Sequence, residues 1–182
     1  HLISRLETIE AAYNKRKREL GVVDYDDLLS FWLKILTLQN PGEKISQRFL
    51  YILVDEYQDT NRIQALILYQ LARYHKNIMV VGDDAQSIYS FRGATVHNIL
   101  EFPKIYPDAM MFYLQTNYRS TPEILNLANS VISHNRYQFP KVLKSIKSSG
   151  VKPVLVRCYD KRSESIFVSQ RITELIKNTK PS

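Results

Sequence analysis

Two pairs of acidic residues each follow a short apolar run. Their carboxylates are the groups in this sequence best suited to catalysis or metal binding. Asp55 and Glu56 come directly after YILV, and Asp83 and Asp84 come after NIMVVG. One carboxylate can hold Mg²⁺ through water, and a second can orient or deprotonate a water that attacks a phosphate. Acidic residues at strand ends also serve simply to cap the next helix. The residue types therefore favour phosphate chemistry and leave a capping role open.

The elements that must position these acids have the pattern of a βαβ unit. RFLYILVDE and NIMVVGDD are short apolar runs rich in β-forming residues, which predicts strands covered on both faces of a parallel sheet. A helix is predicted between them, from about Thr60 to Tyr74. Ligands bind beyond the carboxyl ends of parallel strands, where loops converge. We therefore expect both acid pairs at one edge of one sheet.

The segment VVGDDAQSIYSFRGA adds an amide and interleaved aromatic and basic residues. Gly82 permits a tight turn, and Gln86 offers an amide beside the acids. Tyr89, Phe91 and Arg92 suit single-stranded nucleic acid, because bases stack on aromatic faces and arginine pairs with phosphate. By residue type alone, however, the two aromatics are more typical of core residues of a short helix.

A third segment, QTNYRSTPEI, places an arginine and a tyrosine just before a predicted helix. Arg119 can donate a bidentate pair of hydrogen bonds to phosphate oxygens, and Tyr118 can stack on a base. The alternative is that Arg119 is only a surface charge beside a helix start.

The remaining pattern alternates helices and strands, which indicates the α/β class. A solvated helix in SRLETIEAAYNKRKRELG ends at Gly21; a second, capped by Asp24 or Asp26 and ended by Pro41-Gly42, is expected to bury Leu29, Trp32, Leu33 and Leu36. Further helices are predicted in TVHNILEFPKIYP, TPEILNLANSVISHN and SESIFVSQRITELIKN, strands in MMFYLQTNYRS and VLVRCY, and a loop in KVLKSIKSSGVKP.

Composition excludes several classes of protein. The formal charge of +7 favours a polyanionic partner without identifying one. The single cysteine, Cys158, rules out an internal disulfide framework; it is expected in a strand and in a reducing, cytoplasmic setting. The four histidines lack zinc-ligand spacing, and no apolar run approaches the roughly 20 residues that cross a bilayer.

Taken in order, these stretches resemble the UvrD/Rep/PcrA family of superfamily 1 DNA helicases. VDEYQDTN is similar to that family's Walker B motif, VVGDDAQSIYSFRGA to motif III, NYRS to motif IV, and DYDDLL to a segment preceding Walker B. The resemblance implies RecA-like P-loop NTPase cores, each a parallel sheet flanked by helices, with ATP and Mg²⁺ held between cores 1A and 2A. It also implies 3′ to 5′ movement along single-stranded DNA and unwinding at junctions with duplex, in repair, replication or another pathway.

The resemblance assigns roles to five nucleotide-site residues. Asp55 matches the Mg²⁺-associated acid, and Glu56 matches the carboxylate at the metal site that activates water. Gln86 matches the glutamine that senses the γ-phosphate. Arg119 matches the arginine that reaches the γ-phosphate from the second core, and Tyr118 matches a tyrosine that stacks on adenine.

The resemblance also places Tyr89, Phe91 and Arg92 in the segment that contacts single-stranded DNA. Two positions depart from the family pattern. Ala85 stands where many relatives carry an aspartate, and Phe91 where several carry tryptophan. Neither change removes a catalytic group, although the second alters the stacking surface.

The 182 residues contain no G-x-x-x-x-G-K-[ST] motif, so this chain lacks the lysine that grips the triphosphate. We therefore expect residues 1–20 to be the tail of a 1B-type helical insertion, residues 21–112 the later half of domain 1A, and residues 113–182 the beginning of domain 2A. The chain by itself is not expected to hydrolyse ATP.

Two other functions remain open at this point. One is a non-catalytic nucleic-acid-binding or adaptor module that retains motif III. The other is a metal-dependent nuclease built on the four acids Asp55, Glu56, Asp83 and Asp84.

Overall fold

The computed structural model describes residues 2–178, except for the side chains of Leu2 and Arg92. Its helices are α1 Leu2–Leu20, α2 Tyr25–Thr37, α3 Gln39–Ser46, α4 Arg62–Ala72, α5 His97–Ile105, α6 Pro122–Ile132 and α7 Lys161–Asn178. Its strands are β1 Ile52–Val54, β2 Ile78–Val80, β3 Thr116–Asn117 and β4 Lys144–Ser145. The chain forms two compact units. The first runs to Phe112 and includes Asn135–Pro140; the second comprises Tyr113–His134 and the chain from Lys141 onward.

The predicted βαβ unit is confirmed in the first unit. Strands β1 and β2 are parallel neighbours, with Ile52 opposite Ile78 and Val54 opposite Val80, and α4 connects them. The ladder continues past the strands, since the Val81 N–H donates to Val54 O at 2.7 Å. Both acid pairs therefore leave the sheet at the same edge.

Helix α4 begins directly after its N-cap residue, Asn61. The Asn61 side chain accepts a hydrogen bond from the Gln64 N–H, and the Gln64 side chain accepts one from the Asn61 N–H, each at 2.9 Å. This capping box satisfies two amide groups that the first helical turn leaves unpaired. The helix predicted from Thr60 to Tyr74 is therefore confirmed with slightly shorter bounds.

Helices α1 and α2 are joined by an ionic cluster. Asp24, rather than Asp26, caps α2, in a capping box with Asp27. The Lys17 ammonium lies 2.8 Å from the Asp24 carboxylate and 2.6 Å from that of Asp27, and the Tyr13 hydroxyl donates to Asp24 at 3.0 Å. Hydrogen bonding to Lys17 is the main cause that lowers the pKa of Asp24 to about 2.

Two predictions for α2 are wrong. Pro41 and Gly42 do not end a helix; they lie inside α3, because proline is tolerated in a first helical turn. Gly42 is needed there for close approach, since a Cβ would come within 2.1 Å of Leu36 O. The expected buried face is also only partly buried: Leu36 is buried, Leu29 and Leu33 are half-buried, and Trp32 is exposed.

The β1–β2 sheet is covered on one face only, contrary to the sequence prediction. Val54, Ile78 and Val80 pack against the core formed by Tyr57, Ile99 and Phe102. Side chains alternate across a strand, so Leu53 and Met79 lie on the opposite face, and Leu53 is 71% exposed. The helices that follow these strands in the described chain supply cover on the first face alone.

The second unit differs most from the sequence prediction. Strand β4 lies in the predicted loop and pairs in parallel with β3, Thr116 opposite Lys144. The segment VLVRCY is not a strand, and Cys158 is exposed outside any regular element. A strand needs a hydrogen-bonded neighbour, and no described residue pairs with that segment. The helices predicted at α5, α6 and α7 are confirmed, with Pro122 in the first turn of α6.

Within residues 2–178, no helix combines the length and apolar character that a membrane span requires.

Candidate functional site

The first acid pair lies at the carboxyl end of β1. Asp55 and Glu56 are both exposed, and Asp55 Oδ1 accepts a hydrogen bond from the Glu56 N–H at 2.9 Å. Glu56 has a left-handed backbone, with φ 50° and ψ 41°. That conformation costs a non-glycine residue roughly 1–2 kcal/mol. Strain of this kind is characteristic of functional positions, where surrounding structure holds it in place.

Gln58 holds the side chain of Glu56. Its Nε2 donates to Glu56 Oε2 at 2.8 Å, and its Oε1 accepts from the Asp83 N–H at 3.0 Å. Only 1% of Gln58 is exposed. The nitrogen and the oxygen of its side-chain amide therefore form hydrogen bonds with the protein instead of with water. Residue type alone assigns Gln58 no role; its place between two acidic residues, Glu56 and Asp59, of one strand-end loop was the available signal.

The second acid pair is used inside the protein. Asp83 Oδ1 accepts from the Ala85 N–H at 3.0 Å, and Asp83 Oδ2 accepts from Gln86 Nε2 at 2.8 Å. Asp84 is buried, and its Oδ2 accepts from the Phe139 N–H at 3.3 Å. Asp83 thus performs the helix-capping role left open by the sequence, whereas Asp55 and Glu56 do not cap.

Gly82 is required for close packing at this edge. A Cβ on Gly82 would lie 2.6 Å from Gln58 Oε1 and 2.9 Å from Ile99 Cδ1. Its backbone is outside the left-handed region that glycine alone favours, unlike that of Gly93 at φ +81°. A left-handed turn therefore does not explain this glycine, and close approach to Gln58 is the physical reason for the residue.

The segment that follows β1 and the segment that follows β2 are joined a second time, farther along the chain from Asp55 and Glu56. The Thr95 N–H donates to Thr60 O at 3.2 Å, and Asn61 forms an isolated antiparallel bridge with Ala94. The Asn98 side chain donates to Thr60 O at 2.9 Å and to Asn61 O at 3.3 Å. At the other end of this segment, the Ser87 hydroxyl donates to Gln58 O at 3.3 Å. Residues 87–93 are therefore tied at both ends to residues 58–61.

The aromatic residues of that segment are on the surface. Phe91 is 76% exposed and Tyr89 is 37% exposed, with ring centroids 6.0 Å apart. This exposure rejects the alternative that they are core residues and suits a stacking surface. Phe91 and Arg92 belong to a short 3-10 turn, Ser90–Arg92, that directly follows Tyr89, but the side chain of Arg92 lies outside the described part of the structure.

Tyr118 and Arg119 lie in the second unit, directly after β3. Asn117 Oδ1 accepts hydrogen bonds from the Arg119 N–H at 2.9 Å and the Ser120 N–H at 2.7 Å, which fixes a tight turn. The turn leaves Arg119 exposed and Tyr118 70% exposed. Both side chains are therefore accessible to a ligand.

The acids fit a metal ion that arrives with a nucleotide. Mg²⁺ keeps several waters and is usually held by one or two carboxylates together with substrate phosphates. Asp55 and Glu56 are exposed carboxylates at a strand end and match that pattern. Among residues 2–178, no cluster of three or more histidine, cysteine or acidic side chains could enclose a metal. With Asp83 and Asp84 engaged in internal hydrogen bonds, the four-acid nuclease site has no support.

Comparison with known proteins identifies both parts of the chain. Residues 2–107 match the UvrD/REP helicase N-terminal domain, and residues 112–182 match the UvrD-like helicase C-terminal domain. The chain is similar to ATP-dependent DNA helicase PcrA of Bacillus subtilis (strain 168), 41% identical over 92% of this chain and 23% of that protein. It is 40% identical to PcrA of Staphylococcus epidermidis (strain ATCC 12228) over 91% of this chain, and 39% identical to PcrA of Staphylococcus aureus (strain COL) over 95%.

The chain spans about a quarter of the length of these curated relatives. The N-terminal family model alone matches more than half of its residues and covers the acid pairs, Gln58 and the exposed aromatics. On this evidence, the chain belongs to the UvrD/REP helicase family.

Proposed function

We propose that these residues are part of an ATP-dependent DNA helicase or translocase, which couples ATP hydrolysis to 3′ to 5′ movement on single-stranded DNA and to unwinding at junctions with duplex. The observation that carries this proposal is the double attachment of the exposed aromatic segment, residues 87–93, to the segment that bears Asp55 and Glu56. A group that binds DNA and a group that acts on a phosphate thereby share one framework. The names of the relatives support the same activity.

In the proposed reaction, Glu56 accepts a proton from the water that attacks the γ-phosphorus. A new P–O bond forms to that water oxygen, the bond from the γ-phosphorus to the bridging oxygen breaks, and ADP and phosphate leave. Asp55 would hold Mg²⁺, and the ion when bound would supply positive charge to the phosphate oxygens. The strained backbone of Glu56 and its hydrogen bond from Gln58 fix where the proton acceptor lies.

Three further residues have proposed roles towards ATP. Gln86 contacts the γ-phosphate, in support of which its amide is exposed and held by Asp83. Arg119 donates to the γ-phosphate, and Tyr118 stacks on the adenine. Both are accessible on a turn that the Asn117 side chain fixes.

For DNA, Tyr89 and Phe91 provide faces on which bases stack, and Arg92 contributes positive charge. Stacking is tolerant of sequence because every base has a π-face. The proposed partner is therefore single-stranded DNA without strong sequence preference.

We also propose the domain assignment that the family resemblance implies: residues 1–20 from a 1B-type insertion, 21–112 from RecA-like domain 1A, and 113–182 from RecA-like domain 2A. The compact units change at Phe112, and the two family models meet between residues 107 and 112, which supports that boundary. A chain without a P-loop lysine is expected to be inactive in ATP hydrolysis on its own.

The test is Glu56→Gln in the complete protein. Loss of the proton acceptor should reduce the kcat for ATP by about 10²-fold or more, because general bases contribute on that order. ATP binding, measured by titration of a fluorescent analogue, should stay within about threefold of wild type. Glu101→Gln, an exposed glutamate of α5, is the matched control and should turn over ATP normally. Unchanged turnover in Glu56→Gln would refute the assignment.

A further inference from the structure

Gln58 is a buried amide whose two ends are both occupied. A backbone N–H can only donate, so the Asp83 N–H must face Oε1, which directs the Gln58 NH₂ group towards Glu56. The orientation of the amide follows from this partner. Gln58 is therefore fixed in the single orientation that presents a donor to the Glu56 carboxylate.

Hydrogen bonds continue from Gln58 into the second motif. Glu56 Oε2 accepts from Gln58, Gln58 Oε1 accepts from the Asp83 N–H, and Asp83 Oδ2 accepts from Gln86, with distances of 2.8, 3.0 and 2.8 Å. The Ser87 hydroxyl also donates to Gln58 O at 3.3 Å. Gln58 thus contacts the acid-bearing loop on one side and the start of the aromatic segment on the other.

The other junction of the aromatic segment does not involve Gln58. It consists of the bonds from Thr95 and Asn98 to Thr60 and the bridge between Asn61 and Ala94. A shift of residues 87–93 is consequently resisted at its far end by backbone bonds. At its near end, the Ser87 hydroxyl is bound to the backbone carbonyl of Gln58. The side chain of the same residue joins Glu56 to the backbone of Asp83.

We propose that Gln58 is a positioning residue that holds the Glu56 carboxylate and transmits the effect of DNA on residues 87–93 to ATP turnover. This inference rests on the proposed function. The Glu56 side chain is exposed, and the hydrogen bond that Gln58 donates to it selects one position of the carboxylate. A displacement of about 1 Å at a reacting group can cost on the order of 10²-fold in rate.

The experiment uses two variants of the complete protein. Gln58→Met keeps the length and approximate volume of the side chain and removes both hydrogen bonds. Gln58→Glu keeps an acceptor for the Asp83 N–H and replaces the donor towards Glu56 with a carboxylate oxygen. Gln64→Met is the matched control, since Gln64 is a half-buried glutamine whose amide only caps α4.

The measurements are kcat and KM for ATP with and without a saturating oligothymidylate, the affinity for that oligonucleotide, and Tm. For both Gln58 variants we expect kcat with DNA to fall about 10- to 100-fold, while KM and DNA affinity stay within about threefold. The ratio of turnover with DNA to turnover without it should fall towards one. Gln64→Met should lower Tm and leave that ratio at the wild-type value.

Two results would overturn the inference. One is that DNA stimulates ATP turnover in both Gln58 variants as strongly as it does in the wild type. The other is a parallel loss of kcat, ATP affinity and DNA affinity that follows the drop in Tm, which indicates a purely structural role. Failure of the proposed function is a separate result, because the wild type would then lack DNA-stimulated turnover or Glu56→Gln would retain it.

Discussion

At the residue scale, the described site separates side chains that face solvent from side chains that hold the framework. Asp55, Glu56 and Phe91 are exposed, whereas Gln58 and Asp84 are buried and hydrogen-bonded within the protein. Residue type alone does not make this division, since both acid pairs follow apolar strands. Changes in the exposed group should alter binding or chemistry with little effect on folding.

Phe91→Ala tests the stacking surface. We expect the free energy with which the complete protein binds single-stranded DNA to weaken by about 1–3 kcal/mol, which is the range for one base stacked on an aromatic ring. Tm should be unchanged because the side chain is 76% exposed. Phe112→Ala, an exposed phenylalanine outside residues 87–93, is the control for fluorescence anisotropy with a labelled oligonucleotide.

Arg119→Ala tests the proposed phosphate contact. DNA-stimulated ATP turnover should fall by at least about 10³-fold, as for other arginines that stabilise phosphoryl transfer. DNA affinity should change little in the same preparation. Equal losses in turnover and in DNA affinity would instead make Arg119 a DNA contact.

At the element scale, two loops position the site. They follow β1 and β2 and are hydrogen-bonded to each other. The parallel pairing of β1 with β2 and the connecting α4 followed from two apolar runs and the helix predicted between them. The tie between Gln58 and Asp83 did not follow, because a hydrogen bond between residues 25 positions apart leaves no periodic signal. The need for Gly82 likewise appears only when the distance to Gln58 is known.

Gly82→Ala should disturb this tie from the opposite side. The added Cβ would meet Gln58 Oε1 at 2.6 Å, so the amide must move and its bonds to Glu56 and Asp83 must weaken. We expect reduced DNA stimulation of ATP turnover, in the same direction as Gln58→Met. Gly93→Ala, where the nearest atom to a Cβ is 4.0 Å away, tests backbone strain without this collision and should affect Tm more than stimulation.

The ionic junction of α1 and α2 predicts a pH dependence of stability. Hydrogen bonds, of which the one from Lys17 has the largest effect, lower the pKa of Asp24 from its ordinary 3.8 to about 2. The stabilising contribution is therefore present above pH 3.8 and is lost as pH falls towards 2. Lys17→Met should lower Tm at pH 7, and the difference from wild type should shrink between pH 4 and pH 2. A difference that is constant over this range would contradict the ionic origin.

At the scale of the whole molecule, the wrong predictions concern apolar segments that were expected to be buried and are exposed. Leu53 and Met79 on the sheet, and the segment containing Val154 and Leu155, have the apolar pattern of buried strands and yet are exposed. Apolar pattern predicts burial, but a strand also needs pairing and cover that the described residues do not supply there. Where cover and a paired neighbour are present, as for β1, β2 and α4, the predicted elements are confirmed.

The central proposal is that Glu56 activates the water that attacks ATP, at a rate set by single-stranded DNA bound to the attached aromatic segment. Its most direct test is steady-state ATP hydrolysis by the complete protein, titrated with oligothymidylate, for wild type and Glu56→Gln. The account predicts that wild-type turnover rises to a plateau as DNA saturates, while Glu56→Gln binds the same DNA and remains inactive. DNA that binds the wild type without changing its turnover, or a Glu56→Gln variant that responds as wild type does, would contradict it.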